Sequence, residues 1–224
     1  MTADGKVEAP RRPAGGATSR RSGAPRTDYD LVVIGASLGG VAALRQVLAE
    51  LPAGFPAAVA IVQHRRHDAD SPLAQLLGAV SPLPVREPRD RERIEPGTIY
   101  LGPAGYHLLV EPGWLTLSVE GPVSWARPSI DVLFESAAEA YRRRLVAVLL
   151  TGSSEDGAAG VEAVARRGGL TVVEDPGSAH SPVSPAAALA RTAVRHVLPL
   201  SGIAGLLRGM VQAPAGSDAA ASRR

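Results

Sequence analysis

Short runs of β-branched and aliphatic residues recur along this chain, each closed by small or polar residues. They are LVVIG at 31–35, AAVAIVQH at 57–64, LVAVLLTG at 145–152 and LTVVED at 170–175. Runs that are apolar at nearly every position, rather than at alternate ones, suit strands covered on both faces. The segments between them have helical spacing. In VAALRQVLAEL, Val41, Leu44, Val47, Leu48 and Leu51 share a face. SPLAQLLGAV (71–80) opens on Ser-Pro, a pair that starts helices. In RPSIDVLFESAAEAYRRR, Ser129 is a fair N-cap, and Ile130, Leu133, Phe134, Ala137 and Tyr141 line one side. The arginines that end it suit the negative pole of a helix dipole. DGAAGVEAVARRGG reads as a helix ending in glycine, and SPAAALARTA as one with Ser184 as cap and Pro185 in its first turn. A short strand, HVLPL (196–200), and a last helix over 201–211 complete the alternation. Residues 84–122 break the rhythm: PVREP, GTIYLGP, YHLLVEP and WLTLSVEGP read as short strands in a hairpin-rich insert.

Strand–helix alternation implies an α/β fold. The expected form is a doubly wound, mainly parallel, Rossmann-like sheet with helices on both faces and a β-hairpin insert. Its domain should run from 29 to 211. Residues 1–28, rich in Pro, Gly, Ala, Ser and Arg, read as a disordered basic tail, and 212–224 as a second disordered tail.

The net charge of +2 is uneven. In 1–28, Lys6, Arg11, Arg12, Arg20, Arg21 and Arg26 outnumber Asp4, Glu8 and Asp28, which leaves the remainder slightly acidic. With few aromatics besides, no nucleic-acid partner is expected. No apolar stretch reaches the ~18 residues of a membrane span. No apolar block follows the first charges, so no signal peptide is read there. No direct membrane insertion is expected, and the location expected is cytoplasmic.

The chain has no cysteine, which excludes disulfides, a thiol nucleophile, cysteine-ligated zinc and iron–sulfur clusters. Lys6 is the sole lysine, so the domain has neither a P-loop lysine nor a Schiff-base lysine. Of the usual nucleophile sets, hydroxyl–histidine–carboxylate remains.

Sheets of this kind gather function at the carboxyl ends of their strands. The first apolar run ends in Gly35-Ala36-Ser37-Leu38-Gly39, which fits G-x-S-x-G. In that pattern a serine sits exposed on a sharp strand-to-helix turn, beside free amides at a helix start. The second run ends at His64, and the 145–152 run leads into Asp156. A histidine can take a serine proton, and a carboxylate behind it fixes its tautomer. Other readings of the same residues stand beside this one. Ser37 fits a plain glycine turn, and Gly35-x-x-x-Gly39-Gly40 fits a variant phosphate-binding loop of a nucleotide-binding oxidoreductase, although no acidic residue ends the second strand. His64 fits a packed histidine, and Asp156 fits the N-cap of the helix that follows it. His67 with Asp68 and Asp70 makes a poor metal signature, and no metal is expected. His107, His180 and His196 read as structural or surface residues. Arg65 and Arg66 read either as solvated or as attracting an acidic partner.

Taken together, DLVVIGASLGG, AIVQH, GTIYLGPAGYHLLV, RPSIDVLFESAA, VAVLLTGSSEDGAAG and EDPGSAHSPVSPAAAL resemble the catalytic domain of the CheB-type protein-glutamate methylesterases of bacterial chemotaxis. The resemblance covers about residues 29 to 210. It implies a serine hydrolase that demethylates glutamate methyl esters, and in many members deamidates glutamines, on chemoreceptor-like proteins. It implies Ser37 as nucleophile, His64 as base and Asp156 as the orienting carboxylate, with Leu38, Gly39, Gly152 and Ser153 around the oxyanion and substrate pocket. It implies no metal or cofactor. Leu38 stands where the family usually has Ser or Thr, Ser153-Ser154 where it has Met-Gly, and Ser184 where it has Met before Pro185. These changes leave the triad positions intact and alter the pocket, which keeps a catalytically impaired signalling scaffold as the alternative. The family's usual receiver domain has no counterpart in residues 1–28, so control by phosphorylation in cis is not expected.

Overall fold

The structure, a computed structural model, describes residues 28–65 and 72–210. The two expected tails, Asp28 apart, lie outside the described residues, as do Arg66, His67, Asp68 and Asp70. The apolar runs become the strands β1 (Leu31–Ala36), β2 (Ala58–Gln63), β8 (Leu145–Leu149) and β9 (Leu170–Glu174). The helical segments become α1 (Gly40–Ala49), α2 (Leu73–Gly78), α3 (Ile130–Tyr141), α4 (Ala158–Arg166), α5 (Val183–Arg191) and α6 (Leu200–Gly209). Shorter strands fill the rest: β3 (Val85–Arg86), β4 (Glu92–Arg93), β5 (Ile99–Leu101), β6 (His107–Glu111), β7 (Trp114–Ser118) and β10 (His196–Leu198).

Seven strands form a parallel sheet in the order β10-β9-β8-β1-β2-β5-β3. Every residue of β1 is buried, as its unbroken apolar run requires. Its side chains divide between two layers. Val32 and Ile34 join the core beneath α1, α2 and α6, with Leu44, Leu48, Ile61 and Ile203. Leu31 and Val33 join the core beneath α3, α4 and α5, with Phe134, Val161 and Val173. The doubly wound α/β fold is therefore as expected.

The hairpin-rich insert divides between the two sheets. β3 and β5 extend the parallel sheet beyond β2, and only β4, β7 and β6 form the small antiparallel sheet. The reason is burial: Ile99, Tyr100 and Leu101 are all sealed from solvent, so GTIYLGP is a short core strand. The buried Tyr100 hydroxyl accepts from the Glu95 amide and donates to the Arg93 carbonyl, which fixes the crossing between the two sheets.

Ser184 does not cap α5. The helix starts two residues earlier, after Pro182, and the buried Ser184 hydroxyl donates to the Ser154 carbonyl at 2.6 Å. α4 begins after Gly157, whose φ of +102° suits glycine alone, so Asp156 lies outside the helix it was read to cap.

β1 sits where strand order reverses, between β2 and β8. Ala36 pairs with Gln63 across to β2, and Gly35 pairs with Leu149 across to β8. This register brings the residues just past three strand ends, Ser37, His64 and Thr151, into one neighbourhood. The ladder continues past the strands: the Ser37 amide donates to the Thr151 carbonyl at 2.9 Å, and the His64 amide to the Ala36 carbonyl at 3.0 Å.

Candidate active site

The turn that carries Ser37 is shaped by close approach. A Cβ on Gly35 would lie 2.2 Å from the Ile130 side chain, and one on Gly40 2.2 Å from Gln63 Oε1. Gly39, with φ +81°, is left-handed, and a Cβ there would also strike His180. Neighbouring strands pin this turn. Gln63 Nε2 donates to the Ser37 carbonyl at 2.9 Å and to the His64 carbonyl at 3.0 Å, tying two strand ends together. Thr151 Oγ1 donates to the Leu38 carbonyl at 2.9 Å.

Ser37, His64 and Asp156 come together as an unbroken relay. The Ser37 hydroxyl lies 3.1 Å from His64 Nδ1, and His64 Nε2 lies 2.7 Å from Asp156 Oδ2. The carboxylate can only accept, so Nε2 carries the proton and Nδ1 turns its lone pair toward Ser37. A hydroxyl so placed can lose its proton to the ring as it attacks a carbonyl carbon.

Asp156 is fully buried. Besides His64, its oxygens accept from Ser129 Oγ at 2.8 Å, the Ile130 amide at 2.7 Å and the Asp131 amide at 3.0 Å. Those amides open α3, so the carboxylate caps a helix remote in sequence. Burial alone would push the Asp156 carboxyl up. The bonds from His64, Ile130, Asp131 and Ser129 outweigh it and hold the carboxyl below the ordinary aspartate value.

Asp131 returns the cap. Its Oδ1 accepts from the Gly157 amide at 2.9 Å and the Gly160 amide at 2.7 Å, at the start of α4. Each helix start is thus closed by a carboxylate from the other. Gly160 permits the approach, since a Cβ there would lie 2.5 Å from Phe134 Cβ. Burial, against the pull of the Gly160 amide and with the neighbouring Asp156 charge adding to it, raises the Asp131 carboxyl to about 6.

On the other side of Ser37 the surface opens. Ser37, Leu38, Gly39, Gly40, Val41, Ala42, His64 and Ser153 line a cleft of about 420 Å³ at the amino end of α1. Leu38 and Ser153 are exposed there. Gly152 does not line the cleft. Its amide donates to the Ser181 carbonyl at 3.2 Å, and a Cβ on it would lie 3.0 Å from Ser37 Cβ, so it provides room rather than a donor. The strand end behind it is anchored by Glu174, buried at the end of β9, whose Oε2 accepts from the Thr151 amide at 2.7 Å. Burial pushes the Glu174 carboxyl up, partly offset by that amide.

His107, His180, His196 and Arg65 stand apart from the relay. His107 is buried and structural, with Nε2 donating to the Gly121 carbonyl and Nδ1 accepting from the Ser129 amide. His180 packs on Gly39, and His196 is half-buried on β10. Arg65 turns inward to Glu87 and the Gly102 carbonyl. Among the described residues no cluster of His, Cys, Asp or Glu could hold a metal ion.

Gln63, Asp131, Thr151 and Glu174 were not read from sequence as part of this site. Gln63 left a trace: a polar residue closing a buried apolar run needs an interior partner. Asp131 left none beyond an acid in a first helical turn.

The family model described as CheB methylesterase matches residues 32–207. A putative protein-glutamate methylesterase/protein-glutamine glutaminase of Leptospira interrogans is 39% identical over 180 residues, covering 80% of this chain and 93% of that protein. Protein-glutamate methylesterase/protein-glutamine glutaminase 1 of Carboxydothermus hydrogenoformans is 42% identical over 180 residues, 78% of this chain. Protein-glutamate methylesterase FrzG of Myxococcus xanthus is 40% identical over 188 residues, 84% of this chain. The chain spans 53% of the Carboxydothermus protein and 56% of FrzG, about half of each. Among solved structures, the Thermotoga maritima CheB methylesterase catalytic domain matches with a TM-score of 0.77 and 32% identity, over 82% of this chain and 99% of that one.

Proposed function

This chain belongs to the CheB methylesterase family, and we propose that it hydrolyses the γ-methyl esters of glutamate side chains on a chemoreceptor-like protein. Ser37 is the nucleophile, His64 the base and Asp156 the carboxylate that orients it. The observation that carries this reading is the continuous relay from Ser37 Oγ through His64 to a buried, charged Asp156.

Ser37 Oγ attacks the ester carbonyl carbon while His64 Nδ1 takes the hydroxyl proton. Negative charge develops on the former carbonyl oxygen, and the amino end of α1, with the Leu38 and Gly39 backbone and Ser153 around it, is placed to stabilise it. The intermediate collapses, the C–O bond to methoxy breaks, and the proton on His64 leaves with methanol. Water then repeats the cycle on the acyl-enzyme, giving the free glutamate carboxylate and restoring Ser37. A glutamine amide in place of the ester would release ammonia by the same steps, in keeping with the glutaminase in the relatives' names. None of these steps calls for a cofactor. Residues 29–211 form the catalytic domain in this reading, and its place is the cytoplasm. No helix among the described residues is long and apolar enough to cross a membrane.

The test is intact-mass spectrometry after treatment with a fluorophosphonate, together with methanol release from a methylated receptor. An adduct on wild type but not on Ser37→Ala, with methanol released only by wild type, supports the reading. Methanol release undiminished in Ser37→Ala would overturn the mechanism. A signalling scaffold of the same fold, motivated by Ser153-Ser154 at the cleft, predicts no adduct on either protein.

A further inference from the structure

The chemistry above makes no use of residues 119–128, VEGPVSWARP. Val123 and Ala126 exchange both backbone hydrogen bonds, at 3.1 and 2.9 Å, closing a two-residue turn. Its central residues, Ser124 and Trp125, have φ of 50° and 64°. Turns with two left-handed residues ordinarily carry Asn-Gly, and a tryptophan in that region is a steric outlier. The turn nevertheless presents the indole fully exposed, with Val119 and Val123 exposed nearby. Large aromatics normally bury most of their surface.

The turn is held in place from behind. Arg127 Nη1 donates to the Val119 carbonyl at 2.9 Å and the Glu120 carbonyl at 3.0 Å, and His107 Nε2 donates to the Gly121 carbonyl at 3.0 Å. Backbone strain kept by a clamped loop is a mark of a functional surface. The indole also walls a concavity. His64, Arg65, Pro122, Trp125, Ala126, Arg127 and Pro128 line a second cleft of about 470 Å³, which shares His64 with the cleft at Ser37. Arg127 meets carbonyl oxygens but no carboxylate among the described residues, so its charge is uncompensated there.

From these observations we infer that the Trp125 turn docks the acidic polypeptide segment that carries the ester. The indole covers an apolar side chain of that segment, and Arg127 faces a carboxylate beside it. This rests on the esterase reading for what sits at Ser37. A polypeptide fits better than a lipid surface, because the indole lines a cleft that ends on His64 rather than crowning a convex patch.

The experiment uses a synthetic peptide with one glutamate γ-methyl ester, an adjacent leucine and flanking glutamates. The control peptide has glutamines in place of those glutamates. The chain has two tryptophans, so Trp114→Phe leaves Trp125 as the sole reporter, and adding Ser37→Ala prevents turnover. The acidic peptide should shift Trp125 emission to the blue, and the control peptide should do so only at much higher concentration. In the active protein, Trp125→Ala should raise KM for the acidic peptide about tenfold, the effect of losing one aromatic anchor. That change should exceed any effect on p-nitrophenyl acetate hydrolysis several-fold, and Trp125→Phe should restore most of it. An unchanged KM in Trp125→Ala would overturn the inference. So would an emission shift produced by phosphatidylglycerol vesicles, or by self-association in sedimentation, and not by the peptide. If wild type hydrolyses neither the peptide nor p-nitrophenyl acetate, the esterase reading fails. The emission shift then decides the docking surface alone.

Discussion

The two ends of the His64 relay are built differently. At one end Asp156 has no exposure, and four donors from two places in the chain converge on its two oxygens. At the other, Ser37 is half-buried beside an exposed Leu38 and an exposed Ser153, on a cleft open to solvent. Every departure from the family pattern noted near the relay, at Leu38, Ser153, Ser154 and Ser184, falls on the open side or on the segment behind it. None touches the carboxylate. The closed end fixes whether the histidine is oriented, and the open end fixes what can reach the serine.

Removing one group at each end should separate chemistry from stability. Ser37→Ala should lower kcat by about 10⁴-fold or more and shift the melting temperature little, since among the described residues its hydroxyl bonds to His64 alone. Asp156→Ala should lower kcat by a comparable factor and also cost roughly 3 kcal/mol of stability, because it leaves buried donors of α3 unpaired. Equal melting temperatures for the two variants in thermal denaturation would break the contrast.

Asp131 probes the closed end without touching the histidine. Asp131→Ala should destabilise by about 1–2 kcal/mol through loss of the cap on α4. Asp131→Asn should restore most of that, because both accepted bonds go to Oδ1, which asparagine retains. Denaturant melts of the two variants measure the difference, and an asparagine variant as weak as the alanine one would show that the charge, not the cap, matters.

The pH dependence of stability sharpens the same contrast. Asp131 is raised from 3.8 to about 6, so the folded state holds its proton more tightly than the unfolded chain. Its contribution is greatest below about 4 and is lost as pH rises through about 6. Asp156 is lowered, so its contribution is present above the unfolded value and is lost as pH falls through the folded one. The melting temperature should therefore climb as pH drops from about 7 toward about 5, and Asp131→Asn should flatten most of that climb. What slope remains belongs to Glu174, which is also raised. A wild-type profile that falls over this range would refute the assignment.

The smallest effect belongs to the open end. Leu38→Ser should change stability by less than about 0.5 kcal/mol, as an exposed side chain should. It should change the ratio of kcat/KM between two ester substrates. Identical ratios would mean that Leu38 does not border the bound substrate.

Much of this architecture was legible in the residues. Unbroken apolar runs such as LVVIG can be little else than strands covered on both sides, and glycines around Ser37 announced a tight turn. The sheet of β3 and β5 was not legible because two or three residues carry no period, and only burial against β2 reveals it. Ser184 looked like a cap because Ser-Pro so often opens helices, while its hydroxyl is taken by the Ser154 carbonyl. The support around the relay was illegible for another reason. Gln63 and Asp131 each act on a backbone group at least 26 residues away, so nothing local in the sequence distinguishes them from ordinary polar residues.

The reciprocal capping of α3 and α4 bears on how descendants of such a chain would decay. A lineage released from hydrolysis could discard Ser37 at little structural expense, and that position would drift first. Asp156 would stay, detained by the helix pair it closes long after the reaction had been abandoned. Its presence in a distant homologue therefore testifies to a folded domain, and only the serine testifies to a working enzyme.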